Sequence, residues 1–201
     1  MNGRGGVVTD AAPEDGCVTL TPPLVLSSSE LPLAELCAAR LEGELFDLAG
    51  GFCPPDTPVT SSTRAAAVAA GRPARLIAEL HTAAWIHGAQ PEEPAVPQFC
   101  TSTAHRVKAS PSRLEVRLRE VVIDDDELVL LGGRQVTAPL RTAVDLARSA
   151  ELFDGRVSLV VLKLLRLGAH TLDDCVEQLD RRRNLPGKRR SLRRLQALLT
   201  R

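Results

Sequence analysis

Arg134-Gln-Val-Thr-Ala-Pro-Leu-Arg-Thr-Ala-Val-Asp-Leu-Ala-Arg148 is the stretch whose reading decides the fold, because a strand ends and a helix begins within it. Val136 reads as the end of a strand and Thr137 as a possible helix cap. Pro139 suits a first helical turn, where its missing N–H has no intrahelical acceptor to lose. Leu140, Ala143, Val144 and Ala147 recur at the spacing of one helical face, which predicts a helix that buries that side. Arg141, Asp145 and Arg148 stand four and three residues apart on another face and read as a solvated ion ladder of small energetic value. No histidine, cysteine or second carboxylate adjoins Asp145 in sequence, so no catalytic role is read for it.

Toward the N-terminus, Gly132-Gly133 reads as a two-residue hairpin joining strands at Glu127 to Leu131 and Arg134 to Ala138. Asp124-Asp125-Asp126 reads as the preceding turn. Before it, Leu114, Val116, Leu118 and Val122 alternate with Glu115, Arg117 and Arg119, which predicts a strand with one apolar face. Together these segments predict an antiparallel meander on which the helix packs. Ala74 to His87, closed by Gly88, is apolar nearly all round and reads as a core helix. A helical stretch near Arg64 to Ala70 precedes it and a proline-rich loop, Gln90 to Pro97, follows it. Farther back, a short helix over about Leu33 to Leu41 leads into two short strands, Glu44 to Phe52, around Leu48-Ala49-Gly50-Gly51. A helix followed by a hairpin is how a winged helix ends. Residues 1–27, rich in Gly, Thr and Pro, read as an extended or poorly ordered arm.

Toward the C-terminus the chain reads as helical after Gly155: Val157 to Leu167, then a helix opened by the capping-box-like pair Thr171 and Asp174, running to about Arg183. Pro186-Gly187 breaks it, and a last helix over about Lys188 to Leu199 sets Leu192, Leu195 and Leu199 against Arg189, Arg190, Arg193 and Arg194. The predicted class is α+β: a small winged-helix-like domain over 28–63, then an antiparallel sheet packed with helices and a helical C-terminus over 64–201.

At 201 residues and 44% hydrophobic, the chain can bury a real core. Its four Phe, one Trp and no Tyr make that core aliphatic and leave little for base stacking. Twenty-two arginines against three lysines (Lys108, Lys163, Lys188) look like a GC-rich coding bias before they look like function. The five cysteines, Cys17, Cys37, Cys53, Cys100 and Cys175, are scattered and indicate neither a zinc knuckle nor a disulfide framework, which fits a reducing cytoplasm. No leader and no membrane-spanning run is read, and no membrane partner is expected. Net charge is zero but uneven: nine Lys/Arg and no Asp/Glu fall between Arg181 and Arg201, leaving sixteen basic against twenty-five acidic residues before them, a balance of −9.

Three stretches, in this order, carry a resemblance: His81-Thr-Ala-Ala-Trp-Ile-His-Gly88, the strand pair at Gly132-Gly133, and Val136 to Arg148. In them the chain resembles the AbiEi family of antitoxins of type IV toxin-antitoxin systems, in its actinobacterial-type form, over roughly residues 30 to 200. The resemblance implies a winged-helix DNA-binding domain followed by an antitoxin domain. It also implies a cognate toxin of the nucleotidyltransferase-like AbiEii class and repression of the protein's own operon through operator DNA. One departure stands out. Ser28 to Arg64 holds Arg40 and Arg64 against Glu30, Glu35, Glu42, Glu44, Asp47 and Asp56, a balance of −4 that repels phosphate, and only one clear helix precedes the hairpin.

The candidate binding residues are Arg181, Arg182, Arg183, Lys188, Arg189, Arg190, Arg193 and Arg194, which suit phosphate contact or docking on an acidic protein surface. The competing reading is a solvated helix face. His81 and His87, six apart, lack metal-ligand register and read as packing or capping residues. Asp124-Asp125-Asp126 with Glu127 raises a metal-dependent nuclease or phosphotransferase. No lysine adjoins them on the following strand, so an aspartate-rich turn explains them better. The expected protein is a non-enzymatic antitoxin without cofactor or metal. The alternatives are a transcription regulator with no antitoxin role and a nucleic-acid-processing enzyme.

Overall fold

The computed structural model describes residues 25–103, 116–149 and 152–199. The predicted segment at 114–115 and most of the N-terminal arm lie outside these residues. Helix α1 (Leu33–Leu41) is followed by the hairpin β1 (Phe46–Leu48) and β2 (Gly51–Cys53), as read from the sequence. Leu26 bridges Phe52, so residues 25–27 run along β2. Helix α2 (Ser61–Ala69) starts at Thr60, whose side chain accepts from the Thr63 N–H.

A five-stranded sheet forms the centre, with order β5-β4-β3-β7-β6. Its strands are β3 (Ile77–Ala78), β4 (Gln98–Ser102), β5 (Arg117–Val121), β6 (Leu128–Leu131) and β7 (Arg134–Thr137). The α+β class holds. Antiparallel pairing occurs at β3–β4 and β6–β7, and parallel pairing at β3–β7 and β4–β5. Three expectations are corrected here. First, the continuous helix over 74–87 is instead β3 followed by α3 (Leu80–Ile86). Two flanking strands take the hydrogen bonds of Ile77 and Ala78, a tertiary demand that overrides local apolar periodicity. Second, β5 and β6 do not form a meander: they lie at opposite edges, and residues 122–127 cross the end of the three strands between them. Asp124 to Glu127 therefore form a 3-10 turn with a reciprocal cap between Asp124 and Glu127, not a hairpin turn, and β6 begins at Leu128. Third, the apolar face of β5 is not covered throughout, since Leu118 and Val122 are exposed while Arg119 between them reaches inward.

The hairpin at Gly132-Gly133 forms as expected, both residues having positive φ. Helix α2 presses on this turn so closely that a Cβ at Gly132 would collide with the Ser62 carbonyl. Arg134, buried at the start of β7, donates to the carbonyls of Ala69, Arg72, Pro73 and Leu76, tying off the C-terminal end of α2. Helix α4 (Pro139–Arg148) carries Pro139 in its first turn, but Ala138 occupies the cap position. Thr137 ends β7 instead, its hydroxyl paired with that of Thr142. The remaining helices are α5 (Gly155–Leu167), α6 (Leu172–Asp180) and α7 (Lys188–Leu199). Asp154 caps α5, and Thr171 and Asp174 form the expected capping box of α6.

Two apolar cores result. One joins the sheet to α2 and α3 around Val68, Ala78, Trp85, Ile86, Phe99 and Val136. The other gathers α5, α6 and α7 on α4 through Val144, Val161, Leu164, Leu165, Leu179 and Leu195. Helix α4 is thus wrapped on all sides, and every residue from Arg141 to Ala147 is buried.

Candidate functional site

That burial changes the meaning of the ladder Arg141-Asp145-Arg148. It is not solvated: Asp145 is 2% and Arg141 5% exposed, because the polar stripe of α4 faces the end of the sheet and α6. Asp145 accepts from Arg141 at 2.9 Å, from Arg119 at 3.2 Å and from Arg148. Arg119 also grips Glu79, at the end of β3, through two bonds of 2.6 and 2.7 Å. On the other side Arg141 Nη1 meets Glu127 at 2.5 Å. Glu127 in turn accepts from Arg182 at 2.9 Å and from Gln178. The charges of β3, β5, the 3-10 turn, α4 and α6 therefore interlock in one buried network.

The network sets its own protonation. Burial alone would raise the Glu127 pKa, but the Arg182 hydrogen bond and the Asp124 N–H outweigh it and hold the carboxyl below its ordinary value. Burial likewise penalises charged Arg119, yet the Glu79 carboxylate it grips holds its pKa above the usual guanidinium range. Arg148 is pushed down, first by burial and then by the crowding of Arg141 and Arg119. The Cys100 thiol behind Glu79 is pushed far up, by burial first and the Glu79 charge second.

The structure divides the basic residues read from the sequence into three groups. Arg181 pairs Asp126 at 2.6 Å, Arg182 holds Asp124 and Glu127, and Lys188 pairs Asp180. Arg190 and Arg194 donate to carbonyls at the C-terminal end of α4, Ser149 for both and Ala147 for Arg194. Arg194 also lies 4.7 Å over the Phe153 ring. Arg183, Arg189 and Arg193 are exposed and have no partner among the described residues. They line one shallow groove with Asn184, Leu185 and Pro186. The aspartates at 124 and 126 face arginines, and no cluster of three metal-ligating side chains exists among the described residues. His81 Nδ1 meets Gln90 Oε1 at 2.8 Å and His87 Nε2 meets the Thr137 carbonyl at 2.8 Å, which are packing roles.

Sequence reasoning missed Glu79, Arg119, Glu127 and Gln178 as network members. Glu79 carried a usable signal, a lone carboxylate in the apolar run Leu76-Ile-Ala-Glu-Leu80. Arg119 carried none, since its alternation placed it on the face read as solvated.

No helix among the described residues is long and apolar enough to cross a membrane. No curated protein matches the chain. The family model described as the AbiEi antitoxin C-terminal domain matches residues 65–200, from α2 through the sheet, the buried network and the end of α7. Since that match spans well over half of the 201 residues, the chain belongs to the AbiEi antitoxin family.

Proposed function

We propose that this protein is a non-enzymatic antitoxin that counteracts a nucleotidyltransferase-like toxin of the AbiEii class encoded nearby, and that it also represses its own operon. The family match over residues 65–200 carries this reading. The surface offered to partners is the groove of Arg183, Arg189 and Arg193, whose guanidinium groups face solvent while the neighbouring basic residues hold the fold together. An acidic patch of a protein partner or a phosphate backbone fits it equally in charge. The buried network keeps α6 against the sheet, and α7 packs on α4 beside it, so the groove is presented on a rigid support. The carboxylates at 124, 126 and 127, each engaged by an arginine, support a structural rather than catalytic role for the acidic turn.

Co-expression with the toxin from the neighbouring reading frame, read as growth, tests the antitoxin role: protection is expected, and unprotected growth arrest with the folded antitoxin present would refute it. A gel shift on the upstream DNA tests repression separately. A shift that weakens with salt supports it, and none at low salt removes it.

A further inference from the structure

Beside the network, and adjoining the groove of Arg183, Arg189 and Arg193 across Pro186, Gly187 and Arg190, lies a recess of about 400 Å³ lined also by Leu80, Arg119, Asp145 and Arg148. Three elements bring the arginines together: β5 supplies Arg119, α4 Arg148 and α7 Arg190. Each lines the recess and keeps unused hydrogen-bond donors. Arg119 uses Nε and Nη2, Arg148 uses Nε and Nη1, and Arg190 uses Nη1, which leaves Nη1, Nη2 and the Nε–Nη2 edge respectively without partners among the described residues. Asp145 on the floor is already engaged by three arginines and offers little repulsion of its own. Across the whole cluster, Arg119, Arg141, Arg148, Arg182 and Arg190 stand against Glu79, Asp124, Glu127 and Asp145, five positive charges to four negative. Two backbone features hold the wall in place. Leu80 sits at φ +49, a left-handed conformation costly for a leucine, and Gly187 at φ +79 packs where a Cβ would lie 2.9 Å from the Arg148 carbonyl.

We propose that this recess binds a terminal phosphate group, either inorganic phosphate or the phosphomonoester end of a nucleotide. Three guanidinium edges ask for three or more acceptor oxygens on one atom, and a phosphomonoester supplies them with two charges, whereas a phosphodiester offers two free oxygens and one charge. The site is independent of the antitoxin reading, since it requires neither the toxin nor operator DNA.

Calorimetric titration of the full chain at constant ionic strength, with inorganic phosphate, a 5′-phosphorylated dinucleotide and its 5′-hydroxyl counterpart, tests it. Saturable binding of phosphate is expected, weakened roughly tenfold by Arg190→Gln and unchanged by Arg189→Gln. Arg190 is exposed and gives the Ser149 carbonyl one bond, at 3.3 Å, so a thermal scan of its variant beside the wild type separates lost binding from lost fold: weakened binding with an unchanged melting temperature supports the site, and weakened binding that only tracks a lowered melting temperature counts against it. Binding of the 5′-phosphorylated dinucleotide as well as phosphate identifies the nucleotide end as ligand; binding of phosphate alone identifies the free ion. Absence of saturation by about 10 mM phosphate, equal binding of the 5′-hydroxyl dinucleotide, or equal loss in both arginine variants would overturn the proposal.

Discussion

Replacing Asp145 by Asn keeps the side-chain volume and removes one charge from the centre of the network. In the wild-type chain both carboxylate oxygens accept from guanidinium groups, Oδ1 from Arg148 and Oδ2 from Arg119 and Arg141. The amide presents an NH2 to one set of donors and leaves Arg141, itself 5% exposed, with Glu127 as its one carboxylate partner. Removing one member of a buried ion-pair network costs about 3–5 kcal/mol, against at most about 1 kcal/mol for a solvated pair. At about 2–4 °C per kcal/mol for a domain of this size, the melting temperature should fall by about 6–20 °C. Urea titration followed by circular dichroism, with thermal scans in parallel, measures both. A loss below about 1 kcal/mol would show that the ladder behaves as a surface feature and would refute the network account.

Other consequences follow from particular residues. Gly132→Ala should destabilise far more than Gly133→Ala, because both need positive φ but only Gly132 faces the Ser62 carbonyl; equal denaturant midpoints would contradict the packing of α2 on this turn. Glu127 titrates lower in the folded chain than in the unfolded one, so its stabilisation is complete above pH 4.5 and is lost as the pH falls below that; Glu127→Gln should flatten the stability profile in this acid window. Burial lowers the His87 pKa, so protonation favours the unfolded chain and stability should begin to drop as the pH falls below 6.5, a slope that His87→Gln removes. The thiols of Cys53, Cys100 and Cys175 should resist alkylation until the protein unfolds, whereas Cys37, half-buried on α1, labels in the native state, as peptide mass spectrometry will show.

Local signals in this chain were legible where a backbone rule acted alone. The helix after Pro139, the hairpin at Gly132-Gly133, the Thr171 capping box and the bounds of α1 and α7 follow from proline, glycine and cap chemistry. Reading failed where distant segments decided the outcome. Ile77 and Ala78 became a strand because β4 and β7 flank them, and β5 parted from β6 because the chain crosses the end of the sheet at residues 122–127. The same crossing brings Glu127 under α4 and turns a surface-like pattern of arginines and an aspartate into a buried network. The basic C-terminal segment was visible as composition, but only geometry separates Arg182, Arg190 and Arg194, which hold other elements, from Arg183, Arg189 and Arg193, which face outward.

The central claim, that this chain protects against its toxin through the outward-facing arginines, is tested most directly by growth of cells co-expressing the toxin with the Arg183→Gln, Arg189→Gln, Arg193→Gln triple variant. None of the three holds a partner among the described residues, so the variant should melt with the wild type while protection is lost. Full protection by the folded triple variant would contradict the assignment of this surface.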